Sequence, residues 1–305
     1  MPKVSAVVVT HNRIGELPHA IDSVLGQTFA DIELIVVNDA SEDGTKEYVS
    51  RLASEGKCQA VNLKKSAGAA TARNIGATVS SGELIAFLDD DDRWHPTKIA
   101  EQVPLFSASD MGAVYCAQRM IFDRTRYLET KPTRRGFIGN DIFTTMLATS
   151  SAMMYSRFAF DSVKGFDEKL THWQDLELNM RMAQRYAIDF VPNALVDVFV
   201  DTKAKSRLSN QYMTWLSAVS YIRHKHMDEI WELSYKQKQL FDRMCEEDGL
   251  SRLYHSGQRL NWWRKSLSYF LHHPTPGRLL QLLTVHDRLF LWKPLLPVYR
   301  EPEET

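Results

Sequence analysis

Four consecutive carboxylates, Asp89, Asp90, Asp91 and Asp92, follow the continuous apolar run Leu84 to Leu88. Such a run reads as a strand buried on both faces of a parallel sheet. In an open α/β sheet, ligands bind outside the carboxyl ends of the strands. Four acids at such an end repel one another unless a cation sits among them. Mn²⁺ and Mg²⁺ favour oxygen ligands, and Mg²⁺ commonly takes one or two carboxylates together with substrate phosphates. An acidic turn capping the next helix would use the same residue type.

Two other strands end in the same way. Val4 to Thr10 runs into Thr10-His11-Asn12-Arg13, and Ile32 to Val37 runs into Asn38-Asp39. Three polar strand ends on one edge of one sheet describe a nucleotide site. Asp39 is placed to accept hydrogen bonds from a ribose or base, as an acid does in dinucleotide folds. It could equally form an Asx-turn before Asp43-Gly44. Arg73 lies in the small-residue stretch Ala67 to Ala77, where it can pair with a phosphate or with the acids, or simply face solvent. No G-x-G-x-x-G follows the first strand and no G-x-x-x-x-G-K-[ST] occurs, which argues against nicotinamide dehydrogenases and P-loop NTPases. A nucleotidyltransferase would need a glycine-rich loop where Thr-His-Asn-Arg stands.

The elements that must position these residues alternate. Helical spacing over Glu16 to Gln27 and Thr45 to Glu55, a short strand at Val61 to Leu63 and the small-residue helix separate the three strands. This order predicts an α/β fold with a mostly parallel sheet flanked by helices. Val114 to Phe122, Ala148 to Tyr155 and Phe190 to Phe199 read as further strands, with a basic, turn-rich connection over Arg124 to Gly139. The character changes near Ser206, dividing the chain into residues 1–205 and a helical extension, 206–305. Helical patterns cover Gln211 to Ile222, Glu229 to Glu247 and Leu253 to Leu271, followed by apolar runs at Arg278 to Leu283 and Leu289 to Pro297. Trp and Leu interleaved with Arg and Lys suit a helix lying on a bilayer surface. They also suit packing within the extension or in a homo-oligomer. His224, His226, His272 and His273 have no metal-ligand spacing and read as surface residues.

Composition sets outer bounds. The chain has 305 residues, 44% hydrophobic and 25% charged, ordinary globular values. A net charge of −1 gives no reason to expect nucleic acid as a partner. Three widely spaced cysteines form neither a disulfide framework nor a zinc site and fit a reducing compartment. The first residues resemble a strand rather than a signal peptide, and no apolar stretch approaches the ~20 residues of a membrane-spanning helix. The expectation is a cytoplasmic protein, with a peripheral membrane contact open to it.

Several stretches together resemble family 2 glycosyltransferases, which have the GT-A fold. They are Val4 to Arg13, Ala20 to Thr28, Glu33 to Asp39, Ala72 to Gly76, Gly82 to Lys98, Gly165 to Glu168 and Trp173 to Arg181. The resemblance covers roughly residues 3 to 200, in order and spacing. It implies a nucleotide-sugar donor, UDP-linked in the first instance, a Mn²⁺ or Mg²⁺ cofactor, and inversion at the anomeric carbon. The acceptor would be a hydroxyl of a glycan or a lipid-linked molecule, in polysaccharide or cell-surface glycan synthesis. Carried over by position, Thr10, His11 and Asp39 would hold the nucleoside, although the family usually has Tyr where His11 stands. Arg73 would face the diphosphate. Asp89 and Asp91 form the D-x-D pair, Asp91 being the first choice for direct metal contact. Asp90 would touch the ribose, and Asp92 would cap the helix near Pro96. Asp175 matches the general base. Gln174 stands where the family has Glu, removing a negative charge and an acceptor contact. That departure is the one feature favouring the alternative of a non-catalytic nucleotide-sugar binding or scaffold protein.

Overall fold

The computed structural model describes residues 4–123, 126–200 and 211–272. The chain forms two compact units. The first comprises Met1–Ile121, Glu129–Ile142 and Met146–Phe199; the second comprises Phe122–Leu128, Phe143–Thr145 and Val200–Thr305.

The first unit is built on a mixed sheet. Its strands are β1 (Val4–Thr10), β2 (Ile32–Asn38), β3 (Gln59–Asn62), β4 (Leu84–Asp89), the short β5 (Arg93–Trp94), β6 (Met111–Asp123), β8 (Met153–Ser156) and β9 (Ala187–Phe199); β7 (Arg126–Glu129) falls mostly in the second unit. The spatial order is β3-β2-β1-β4-β8-β6-β9-β5. β3, β2, β1 and β4 run parallel, and β8 is antiparallel to both β4 and β6. The apolar runs of β1, β2 and β4 are buried on both faces, as their sequences require. Register aligns their ends: Thr10 sits opposite Asn38, and Val9 opposite Asp89. The three polar strand ends therefore share one edge.

Helices α1 (Leu17–Leu25), α2 (Thr45–Ser54) and α3 (Ala69–Val79) connect the parallel strands. The small residues of α3 allow a close approach to the sheet. A Cβ built on Gly76 would lie 2.3 Å from Val7 Cγ1 and 3.1 Å from Val37 Cγ2. After β5 come α4 (Lys98–Gln102), α5 (Arg157–Ser162) and α6 (Gln174–Ala183). The strand expected over Ala148 to Tyr155 is shorter, because Ser150–Ala152 forms a 3₁₀ turn. There the Ser151 hydroxyl bonds Asp92 and its carbonyl accepts from Trp94 Nε1, so the segment serves the acid row instead of a ladder.

The second unit holds α7 (Tyr212–Lys225), α8 (Met227–Glu232), α9 (Tyr235–His255) and α10 (Arg259–His272). The helix expected over Glu229 to Glu247 is two helices. Ser234 starts α9 through a capping box, its hydroxyl accepting from Gln237 N at 3.3 Å while Gln237 Oε1 accepts from Ser234 N at 2.9 Å. A groove of about 650 Å³ lies among α7, α9 and α10, floored by Trp215, Val219 and Leu250. Gly249 leaves room for the Trp215 ring, which a Cβ would meet at 2.6 Å. His226 is buried against the Phe143 ring, unlike its expected surface position, and His224 is exposed. His272 and His273, the runs Arg278 to Leu283 and Leu289 to Pro297, and the boundary near Ser206 concern side chains or segments outside the described residues.

One buried charge in the first unit has neither an ionic nor a hydrogen-bond partner among the described residues. Lys98 is fully buried, with Nζ 4.2 Å from the Trp94 ring centroid and without a hydrogen-bond acceptor. Burial pushes its pKa down to about 8, and the neighbouring Cys116 thiol is pushed up to about 11. A lysine depressed in the folded state binds fewer protons than the unfolded chain between pH 8 and its ordinary value of 10.5. Its penalty is thus full below pH 8 and is relieved as pH rises toward 10.5. Lys98→Met, similar in volume and without charge, should raise unfolding free energy at pH 7 by about 1–3 kcal/mol, the Trp94 contact offsetting part of the gain. Chemical denaturation at pH 7 and pH 10 checks this: the advantage should shrink at the higher pH.

Candidate active site

The site begins with the repulsion among Asp89, Asp90, Asp91 and Asp92, and two arginines answer it. Arg73, buried on α3, donates from Nη2 to Asp89 Oδ1 at 2.5 Å. Arg13, in the loop after β1, bonds Asp91 and reaches Asp90 Oδ1 at 3.4 Å. Asp90 is almost fully buried, and its pKa is pushed up to about 7 by burial against the pull of Arg13. Asp92 lies deeper still. Its carboxylate accepts from the Ser151 hydroxyl at 2.6 Å and from Phe199 N at 3.3 Å, and burial drives its pKa well upward. It caps no helix: α4 begins at Lys98, with Thr97 at the cap position and no side-chain cap. Ser151 also accepts from Asp89 N at 3.1 Å, so one hydroxyl fixes both ends of the acid row.

Thr10 and Asp39 flank the row at the ends of β1 and β2. Asp39 is buried and already occupied in part. Oδ1 accepts from Ala67 N at 2.7 Å, while Oδ2 accepts from Ser66 Oγ at 2.9 Å and Gly68 N at 3.0 Å. It therefore clamps the loop entering α3, with roughly one of a carboxylate's four lone-pair directions left over. His11 is exposed, its Nδ1 lying 2.6 Å from the Asp39 carbonyl oxygen.

Arg73 extends the site to α6. Its Nη1 donates to Gln174 Oε1 at 2.8 Å, and its guanidinium lies over the Phe166 ring at 5.4 Å. Phe166 is held to α3 by Asn74, whose amide pairs with its backbone as a strand neighbour would: Phe166 N donates to Asn74 Oδ1 and Asn74 Nδ2 to Phe166 O, each at 2.9 Å. Gly165 permits this at φ +61, where a Cβ would lie 2.6 Å from Asn74 Oδ1. Arg181 binds Glu177 and the carbonyls of Val163 and Gly165, tying α6 to the same turn. Glu177 and Arg181 are thus framework residues.

Asp175 lies in the first turn of α6, after Trp173 in the left-handed region at φ 58. A non-glycine residue there carries backbone strain, of a kind that gathers at functional sites. Asp175 accepts from Leu176 N at 2.8 Å. The packed surroundings raise its pKa, with Leu176 N and Arg73 pulling it down and Asp89 pushing it up, although part of the side chain stays accessible. A carboxylate with a raised pKa and access to solvent suits a general base. Gln174 does not lose its acceptor contact, contrary to the expectation from its side chain. Oε1 receives Arg73, and Nε2 donates to Leu170 O at 2.7 Å, a bond that ionised Glu cannot make.

The fit to a divalent cation rests on the donor set. Asp89 and Asp91 are hard oxygen donors with side chains 34% and 17% exposed. Among the described residues, no group of three or more His, Cys, Asp or Glu is arranged to hold a metal alone. Two carboxylates suffice where a diphosphate and water complete the shell.

Thr10, His11, Asp39 and the acid row thus share one sheet edge, Arg73 on α3 links that edge to the start of α6 where Asp175 stands, and Arg13 and Ser151 join them with roles that spacing does not reveal. The model of glycosyl transferase family 2 matches residues 5–164, more than half of the chain. The chain belongs to glycosyl transferase family 2. Among its relatives is YwdF, an uncharacterized glycosyltransferase of Bacillus subtilis, 29% identical over 265 residues that cover 82% of this chain and 86% of YwdF. Among solved structures, the Mannosyltransferase PcManGT of Pyrobaculum calidifontis, in complex with GDP-Man and Mn²⁺, aligns at a TM-score of 0.62 and 15% identity, over 95% of this chain and 83% of that one. S. aureus TarS 1-349 in complex with UDP-GlcNAc aligns at 0.56 and 15%, over 88% and 91%. The fold is GT-A, with helices following it.

Gln174→Glu tests how the two halves of the site communicate. The added negative charge should raise the Asp175 pKa further and move the acidic limb of the kcat/KM–pH profile upward. An unmoved limb would show that position 174 does not act on Asp175 as a candidate base.

Proposed function

We propose that this family member transfers a sugar from a nucleotide-sugar donor, UDP-linked in the first instance, to a hydroxyl of a glycan or lipid-linked acceptor. The observation that carries the reading is the double contact of Arg73, which ties Asp89 at the end of β4 to Gln174 beside Asp175. Donor-side charge and a candidate base are thereby held in one rigid group. The complexes of TarS with UDP-GlcNAc and of PcManGT with GDP-Man support the donor class.

In this reading, Thr10, His11, Asp39 and Asp90 receive the nucleoside, and Arg73 faces the diphosphate. Asp175 takes the proton of the acceptor hydroxyl as its oxygen bonds C1 from the face opposite the diphosphate. The C1–O bond to the diphosphate breaks with its electron pair, giving inversion in a single displacement. Asp89 and Asp91 would hold Mn²⁺ or Mg²⁺, which supplies positive charge to the departing diphosphate. Gln174 keeps its contact with Arg73 and leaves Asp175 in place, which favours an active enzyme over a scaffold. Among the described residues no helix is long and apolar enough to cross a membrane.

Calorimetric titration of a nucleotide panel, with and without Mn²⁺, tests this on wild type and Asp91→Ala. UDP should bind wild type about tenfold or more tightly with Mn²⁺, and Asp91→Ala should lose that gain. Failure of every nucleotide to bind folded protein, with or without metal, would sink the transferase reading.

A further inference from the structure

The last described helix, α10, is apolar on two opposite sides. Trp262, Ser266 and Tyr269 face inward and are buried. Leu260, Trp263, Leu267 and Leu271 recur at helical spacing on the outer side. There Leu260 is 64% exposed, Trp263 45% and Leu271 67%. An ordinary surface helix turns charged and polar residues outward. This one turns out two leucines and a tryptophan.

Charge decides what could cover that side. α10 contains Arg259, Arg264 and Lys265 and no acidic residue. Lys265 donates to Tyr212 OH and so leans toward α7, whereas Arg264 is exposed beside the leucine stripe. Over its described length α10 therefore carries +3 in a chain whose total is −1. The remainder of the chain carries −4. A second copy docking through α10 about a two-fold axis would set like charges against each other. A single four-residue stripe also offers little of the area that a stable dimer requires. An anionic bilayer meets both features: its headgroups attract Arg, and its interface accepts Leu and the amphipathic ring of Trp.

We infer that α10 docks this protein on anionic lipid surfaces, with Leu260, Trp263 and Leu271 entering the interface and Arg264 at headgroup level. The docking deepens the acceptor reading, since it brings the enzyme to a surface that holds lipid-linked molecules, and it stands on its own geometry.

The test is co-sedimentation of the full chain with vesicles of phosphatidylcholine alone or of equal parts phosphatidylcholine and phosphatidylglycerol. Wild type should bind the anionic vesicles and leave the neutral ones nearly free. Arg264→Glu should weaken binding about tenfold or more, and added salt should do likewise. Leu260→Ser with Leu271→Ser, both at exposed positions, should abolish it. Nucleotide titration of the same variants reports their folding separately and should match wild type. No vesicle binding, equal binding to both compositions, or variants that bind as wild type would overturn the inference. So would light scattering showing a dimer that the serine variants dissociate. If nucleotide binding fails in wild type while vesicle binding holds, the donor reading falls and the docking stands.

Discussion

The repulsion among four adjacent carboxylates at the end of β4 is the constraint on which the rest of the site depends. Left alone, Asp89 to Asp92 would open the turn or take up protons. The fold answers in three ways. Arg73 and Arg13 supply positive charge to Asp89 and to Asp90 and Asp91. Ser151 and Phe199 N supply hydrogen bonds to Asp92. Burial holds Asp90 and Asp92 toward their protonated forms. The two more exposed carboxylates, Asp89 and Asp91, keep access to solvent and are the ones assigned to a cation in the proposed function.

Arg73 also ties together stretches that lie far apart in the sequence. The arginine needs a flat partner, a carboxylate and an amide, found in Phe166, Asp89 and Gln174. Phe166 needs Asn74 to hold its backbone, and Gly165 must lack a side chain for Asn74 to reach it. Glu177 and Arg181 then lock α6 against the same turn. Most of these residues touch no substrate in the proposed mechanism. They set the position of one guanidinium.

Much of this was legible in the letters. Long apolar runs identified β1, β2 and β4, because strands covered on both faces need nothing else. Their polar ends located the site edge, since parallel strands end on one side. The letters gave less where a residue's partner lies far along the chain. Arg13 is one turn residue among several until Asp91 is brought beside it. Asp92 looked like a helix cap because its true acceptor role involves Ser151 and Phe199, 59 and 107 residues away. Gln174 looked like a loss because its donor contact with Leu170 depends on the shape of the turn before α6. The break between α8 and α9 rested on a local capping box that apolar spacing overrode.

The charge balance itself is open to direct measurement through the unfolding free energies of Arg73→Met, Asp89→Asn and the double variant. Removing Arg73 alone leaves Asp89 uncompensated beside three other acids and should cost about 2–4 kcal/mol. Adding Asp89→Asn removes the orphaned charge and should recover about half of that loss or more. Recovery would establish the arginine–carboxylate pair as the centre of the site. Losses that simply add would show that Arg73 and Asp89 act independently, and would contradict the account.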